Sequence, residues 1–323
     1  MAAISDEAIP APLRTVLRGV GQVFFQDNAL SGICFLLGLL VSSPLMALGA
    51  LIGAVLGAIT ARLLKYDEAE IAAGLYGFNA TLVGIATLFF FRPTAVSLLL
   101  LVVGCIAATP VTWLARRYVP FPTYTTPFIV LTWILFGLGQ AIGLPRVPAG
   151  SALDSVGYLG ATFHGIGQVM FQASIWTGLL FLIGIAVSHW QHAAWVLAGA
   201  FLGALAGSYH VTATARALDP ERLVDRAMTE NIALGLYGYN ATLAAVALYL
   251  WRKSLIPPLL GIVLSVVITE LIPLLGIPAL TAPFVLATWV VLALGWLDRQ
   301  LHREPATPAP RVSRPEDVSA AAP

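Results

Sequence analysis

The chain has 323 residues, 59% of them hydrophobic and 10% charged, with a net charge of +1 and a mean hydropathy of +0.87. A water-soluble domain carries about 25% charged residues, so this chain has too little charge to cover its own surface in water, and lipid is the covering that fits. The even charge balance excludes a nucleic-acid partner, which calls for a basic face.

Residues 1–11 are small and polar, with Asp6 and Glu7 where a cleavable signal would be basic; they read as an N-terminal tail without a signal peptide. A helical stretch at 12–26 follows, too short and too polar to cross a bilayer alone. Crossing ~30 Å of hydrocarbon takes about 20 apolar residues. Spans are expected at 29–43, 44–64, 71–91, 94–115 and 126–144. A second short helical stretch at 156–172 precedes spans at 175–188, 190–209, 231–251, 254–273 and 281–298. The 29–43 and 175–188 spans are short and can borrow residues upstream. From about Arg303 the chain is rich in Pro, Ala and Arg, and 301–323 reads as a disordered tail. This gives a first membrane repeat at 12–147 and a second at 148–300.

Lys and Arg favour the cytoplasmic side. With the N-terminus inside and one crossing per span, the inside holds Arg14, Arg18, Arg62, Lys65, Arg116, Arg117, Arg252, Lys253, Arg299, Arg303, Arg311 and Arg314. The outside holds Arg92, Arg146, Arg216, Arg222 and Arg226. Cys34 and Cys105 lie in apolar runs, fit no metal or disulfide spacing, and read as small buried hydrophobes.

The chain repeats itself. Gly19-Val-Gly-Gln-Val-Phe-Phe-Gln26 matches Gly165-Ile-Gly-Gln-Val-Met-Phe-Gln172, and Leu75-Tyr-Gly-Phe-Asn-Ala-Thr-Leu82 matches Leu236-Tyr-Gly-Tyr-Asn-Ala-Thr-Leu243. Phe121-Pro-Thr-Tyr-Thr-Thr-Pro-Phe128 matches Ile277-Pro-Ala-Leu-Thr-Ala-Pro-Phe284, each followed five residues on by a tryptophan, Trp133 and Trp289. Five spans per repeat is an odd number, so the second repeat enters the membrane inverted, and a substrate path is expected on the pseudo-two-fold axis at the midplane. The Gly, aromatic and Asn blocks suit a polar cavity, where bare backbone is tolerated in a bilayer; helix packing by glycine is the other reading. The 12–26 and 156–172 stretches carry Gln22 with Phe25 and Gln168 with Phe171, one turn apart on one face. They read as re-entrant half-helices, with an interfacial amphipathic helix as the rival. Gly74–Asn79 and Gly235–Asn240 are a second candidate for the unwound element.

These residues resemble the urea transporter family over essentially the whole chain apart from the termini. The family's hallmark is a twice-repeated Leu-Pro-x-x-Thr-x-Pro-Phe, and both octets here keep the two Pro, the Thr and the Phe while replacing the leading Leu with Phe121 and Ile277. The resemblance implies an all-α integral membrane fold of two inverted repeats, each with five transmembrane helices and one re-entrant half-helix. It implies a homotrimer in a bacterial inner membrane, with one pore per protomer and no cofactor. Carried over residue by residue, it places slot rings at Phe25, Phe78, Phe171 and Tyr239 and narrowing leucines at Leu82 and Leu243. Gln22, Gln168, Thr125 and Thr281 form its polar edge. Tyr239 is the departure, since its hydroxyl offers a hydrogen bond that Phe lacks.

Flat slots edged with oxygens suit urea, which is planar and neutral with four N–H donors. A passive channel is expected, because ion-coupled carriers need charged groups within the membrane and the expected spans hold almost none. Glu230, Glu270, His164 and His210 lie near span edges and read as structural or interfacial, with a pore-mouth role open to Glu230. The competing functions are a channel for another small amide or ammonia, and an ion-coupled transporter of a small polar solute. No metal, nucleophile or phosphate-loop motif supports an enzyme.

Overall fold

The computed structural model describes residues 5–148, 157–218 and 226–301, with side chains described in these segments outside 210–229. Helix α1 (Ala11–Gly21) ends in a 3-10 turn at Gln22–Phe24, and α2 (Ala29–Ser42), α3 (Pro44–Leu63) and the short α4 (Glu68–Ala72) follow. Then come α5 (Phe78–Phe90), α6 (Ala95–Tyr118) and α7 (Thr126–Ala141). The second half holds α8 (Gly157–Gln168), α9 (Ile175–Ser188), α10 (Trp190–Leu218) and α11 (Arg226–Ala233). It continues with α12 (Gly238–Trp251), α13 (Ile256–Leu271) with a 3-10 turn at Ile272–Leu275, and α14 (Ala282–Leu301). Among the described residues there is no β-strand, only a bridge between Phe91 and Arg146. Residues 302–323, expected as a tail, and the His210 side chain lie outside what is described.

Among the described residues, five helical stretches are long and apolar enough to cross a membrane: α3, α6, α10 as far as Tyr209, α13 with its 3-10 extension, and α14. The α1–α2 pair makes a sixth if its 74° bend is counted within one span. Helices α5, α7 and α9 are apolar but have only 13, 16 and 14 residues. At about 1.5 Å per residue each falls short of the ~30 Å hydrocarbon core.

Side-chain caps set the starts of α2, α3, α4, α6 and α9. Asn28 accepts from Leu30 N at 2.8 Å to begin α2, Ser174 accepts from Thr177 N to begin α9, and Thr94 and Ser97 form a capping box for α6. Ser43, capping α3 with Pro44 at its first position, splits one long apolar run into α2 and α3.

The stretches at 71–91 and 231–251, expected as spans, are broken at 73–77 and 234–237, overlapping the Gly74–Asn79 and Gly235–Asn240 stretches read as the second candidate for an unwound element. Gly74 and Gly235 take φ +79° and +77° there, a conformation that a Cβ disfavours. A Cβ on Gly74 would also meet Gly19 N at 2.4 Å, and one on Gly235 would meet Gly165 N at 2.2 Å. The short helices α1 and α8 therefore lie directly against the two breaks.

The halves join along α2 and α9. Ser31 Oγ donates to Gly184 O at 2.7 Å, and Thr177 Oγ1 donates to Gly38 O at 2.8 Å, an exchange in which each half gives what it receives. Phe24, Phe35 and Phe181 close the space between them, with ring centroids 5.1–5.7 Å apart. Large apolar side chains such as Leu40, Val41, Leu99, Ile134 and Val263 remain exposed, as expected of helices whose outer faces meet lipid rather than water.

The start of the described chain is tied down. The Asp6 carboxylate, 4% exposed, accepts Arg18 Nε at 2.9 Å, Arg18 Nη2 at 2.7 Å and Ala29 N at 2.7 Å. Arg18 also lies 3.3 Å from Asp27. The Arg18 hydrogen bonds hold the Asp6 carboxyl below the ordinary carboxylate range against the opposing effect of burial.

Candidate pore

Both half-helices end alike. Phe25 and Phe171 take left-handed φ values of 60° and 63°. Phe25 N bonds Gln22 O and Gln26 N bonds Gly21 O, while Phe171 N bonds Gln168 O and Gln172 N bonds Gly167 O. Carbonyls orphaned at each helix end are thus closed by a Schellman-like turn. Inside each octet Tyr124 and Leu280 also take positive φ, 44° and 48°. Four of the five described non-glycine residues with positive φ form two matched pairs, Lys65 being the fifth, and such strain persists only where the surrounding structure enforces it.

That enforcement is visible in the hydrogen bonds. Asn79, buried in α5, donates to Thr112 Oγ1 at 3.1 Å and accepts from Phe128 N at 3.2 Å. Asn240, buried in α12, donates to Thr269 Oγ1 at 3.4 Å and accepts from Phe284 N at 3.1 Å. Each asparagine satisfies an orphan N–H in the first turn of the helix that follows its octet. The Asn residues read in the sequence as cavity groups are thus committed to holding the octets.

The two octets meet. The Thr125 and Thr281 hydroxyls, 2% and 3% exposed as residues, are hydrogen-bonded to each other at 2.7 Å. Trp133 Nε1 donates to Pro278 O and Trp289 Nε1 donates to Pro122 O, both at 2.9 Å. Tyr239, 9% exposed, donates its hydroxyl to Leu280 O at 2.7 Å, and Asn240 Nδ2 reaches the same carbonyl at 3.3 Å. The Tyr239 hydroxyl is therefore engaged with octet backbone.

A cavity of about 330 Å³ opens beside the first octet, lined by Gln22, Phe25, Leu75, Phe78, Arg116, Phe121, Pro122, Thr123 and Tyr124. It brings together three of the residues singled out in the sequence: Gln22, Phe25 and Phe78. Gln22 Nε2 donates to Ala73 O at 2.9 Å, so the break after α4 fixes the amide. Phe25 meets Tyr124 at 5.9 Å and Phe284 at 6.1 Å between centroids, both edge-on. Phe171 lies instead among Phe89, Phe90 and Phe128, at 4.7, 6.2 and 6.3 Å. Gln168 is half-buried at the end of α8, and Leu82 and Leu243 are fully buried in the main core. Gln168, Phe171, Tyr239, Leu82, Leu243, Thr125 and Thr281 are not in the lining of this cavity.

At the rim, Arg116 Nη2 lies 2.6 Å from Glu70 Oε1, and the Tyr76 hydroxyl donates to the other Glu70 oxygen. In the second half Tyr237, the counterpart of Tyr76, lies beside Glu270. His164 Nδ1 lies 2.7 Å from Ala233 O, so Glu270 and His164 each have a structural partner, and Glu230 has a partner as well.

Sequence reasoning missed Trp133, Trp289, Asn79 and Asn240 as the residues that hold the octets. Their signal was recurrence at matching positions in both repeats.

A family model described as urea transporter matches residues 13–295. The chain is 31% identical to urea transporter 1 of Ovis aries over 332 aligned residues, covering 94% of this chain and 81% of that protein. It is 31% identical to urea transporter 1 of Mus musculus over 318, covering 90% and 79%. With urea transporter 1 of Rattus norvegicus the identity is 30% over 324, covering 90% and 79%.

Proposed function

Because the chain belongs to the urea transporter family, a family of membrane transport proteins and not of enzymes, we propose that it is a passive channel for urea. The observation that carries the passive mechanism is the joining of the two octets: the Thr125–Thr281 hydrogen bond flanked by the reciprocal Trp133–Pro278 and Trp289–Pro122 bonds. Alternating access requires one repeat to rock against the other. Here such a motion breaks three hydrogen bonds, of which the buried Thr125–Thr281 bond and the half-buried Trp133 bond weigh most, since an unpaired polar group away from water costs about 1–3 kcal/mol. A path that stays assembled fits a pore better than a rocker.

Reciprocal contacts also support the repeat arrangement. When residue i of one half bonds residue j of the other, and the counterparts do the reverse, a local two-fold axis relates the halves. With 12–147 and 148–300 as repeats of five crossings and one half-helix each, that axis lies in the membrane plane and the repeats are inverted. The short helices α5 and α12 then complete their crossings through α4 and α11 across the glycine breaks.

On this reading urea enters the cavity at Gln22, Phe25 and Phe78. It passes the octet threonines and leaves past Gln168, Phe171 and Tyr239, with Leu82 and Leu243 closing the rest of the cross-section. The rings admit a flat molecule edge-on. Gln22, Gln168, Thr125 and Thr281 provide acceptors for N–H groups that have shed water, and several weak sites in series permit fast release. The groups gathered at the octets are uncharged, which suits a neutral solute and gives a proton or sodium ion nothing to couple to. The family resemblance and the exposed apolar faces support a homotrimer within a lipid bilayer, with a pore in each protomer.

Urea influx into proteoliposomes, with and without an imposed proton or sodium gradient, tests this. Fast influx indifferent to the gradient is expected. Influx that follows the gradient overturns the passive mechanism. Absence of urea influx, with passage of another small amide or ammonia by the same folded protein, overturns the substrate.

A further inference from the structure

Four aromatic rings, Phe25, Phe78, Phe121 and Tyr124, line the cavity beside the first octet, and its lining contains a single charged side chain, Arg116. Ring faces attract cations, most strongly where water is scarce. A cavity lined by rings beside a narrow filter is thus a natural trap for planar organic cations the shape of urea. Guanidinium is the simplest of these. A cation held there blocks the path.

We propose that Arg116 is a specificity-determining residue whose fixed positive charge keeps planar organic cations out of this aromatic cavity. The inference rests on the urea-channel reading for its consequence, though not for its physics.

Arg116 lies in the last turn of α6, and its Nη2 is 2.6 Å from Glu70 Oε1. Glu70 is absent from the lining, so the pair presents its positive end to the cavity and its negative end to Tyr76 behind. The other nearby cations are directed elsewhere. Arg117 lies over the Trp113 ring, and Arg18 is held by Asp6 and Asp27. The two members of the pair are 38% and 33% exposed, so the field acts through partly hydrated space. One unit charge about 4 Å away in water is worth about 1 kcal/mol, or roughly fivefold in occupancy. Neutral urea does not feel this repulsion, and its carbonyl can accept from the guanidinium.

The test uses urea influx into proteoliposomes with guanidinium chloride as competitor on both faces. Calorimetric titration of methylguanidinium chloride into the detergent-solubilised protein runs in parallel and does not depend on flux. Relative to wild type, Arg116→Gln lowers the half-inhibiting guanidinium concentration roughly fivefold at low salt. Glu70→Gln, which leaves Arg116 uncompensated, raises it, and Arg116→Lys stays near wild type. All differences shrink as salt rises, because a charge effect is screened. A role confined to packing does not move Arg116→Gln and Glu70→Gln in opposite directions. The proposal is overturned if those two variants shift inhibition or binding the same way, or if neither shifts it. If the wild-type protein passes no urea, the channel reading fails, and the calorimetric order of the variants still decides the role of Arg116.

Discussion

Trp133 and Trp289 each donate an indole N–H over 2.9 Å to a proline carbonyl in the octet of the opposite repeat. The Trp133 bond is half-buried and the Trp289 bond is exposed, which separates their energies. Trp133→Phe leaves a carbonyl short of its donor where water is scarce and is expected to lower stability by about 1–2 kcal/mol. Trp289→Phe, where water replaces the donor, is expected to cost less than about 1 kcal/mol. Thermal unfolding in detergent measures the order; the reverse order contradicts the burial argument.

The threonine pair makes a second prediction. Thr125→Val or Thr281→Val strands the remaining hydroxyl and removes an acceptor from the path. Urea influx is expected to fall about two- to tenfold in each, as loss of one net hydrogen bond implies. The double replacement removes both polar groups, so its stability loss is expected to be smaller than the sum of the single losses. An additive double variant means that the two hydroxyls are not coupled.

Tyr239→Phe makes a third. Leu280 O accepts from both Tyr239 and Asn240, which occupies both of its lone pairs. Removing the phenol oxygen frees one acceptor site for a passing N–H at a stability cost of about 1 kcal/mol. Faster urea influx in a slightly less stable protein is expected. Slower influx means that the Tyr239 hydroxyl itself serves the solute.

A fourth concerns acid. The Asp6 carboxyl is held below its unfolded value near 3.9, chiefly by its hydrogen bonds from Arg18. Its stabilising contribution is therefore fully present above about pH 4 and is lost as pH falls through the lower folded value. Asp6→Asn is expected to be less stable than wild type by about 2 kcal/mol at neutral pH, as for a charge-assisted hydrogen bond. The gap should close in acid; a constant gap from pH 7 to 3 removes the carboxylate from the account.

Much of the helical frame is legible in the hydropathy and in local caps: Asn28, the Ser43–Pro44 junction and Ser174 mark starts that the expected spans anticipate within a residue or so. The breaks at Gly74 and Gly235 are legible in the recurring Gly and Asn blocks, which offered Gly74–Asn79 and Gly235–Asn240 as unwound elements, but not in the hydropathy. The 71–91 and 231–251 runs stay apolar through the break, and hydropathy carries no information about φ. The site divides similarly. Gln22, Phe25 and Phe78 lie within 56 positions of one another and share a lined cavity, whereas the Thr125–Thr281 bond spans 156 positions. Recurrence of the octets shows that both threonines matter without showing that they touch. Asn79 and Asn240 looked like polar groups placed for a solute because a sequence does not say which neighbour takes an amide's hydrogen bonds. Arg116 sits among basic residues at a helix end, where charge reads as topology.

The octet bonds also set an order of assembly. Pro122 and Thr125 take their partners from Trp289, in the first half of the last described helix, and Thr281, just before it begins. During synthesis the first repeat is complete long before those residues leave the ribosome. For that interval its half of the octet lies in or near hydrocarbon with polar groups unmatched, a condition a bilayer tolerates poorly. A nascent chain stopped before Thr281 is thus a natural client for quality control, and the arrival of the last described helix closes the octet contacts between halves already joined along α2 and α9.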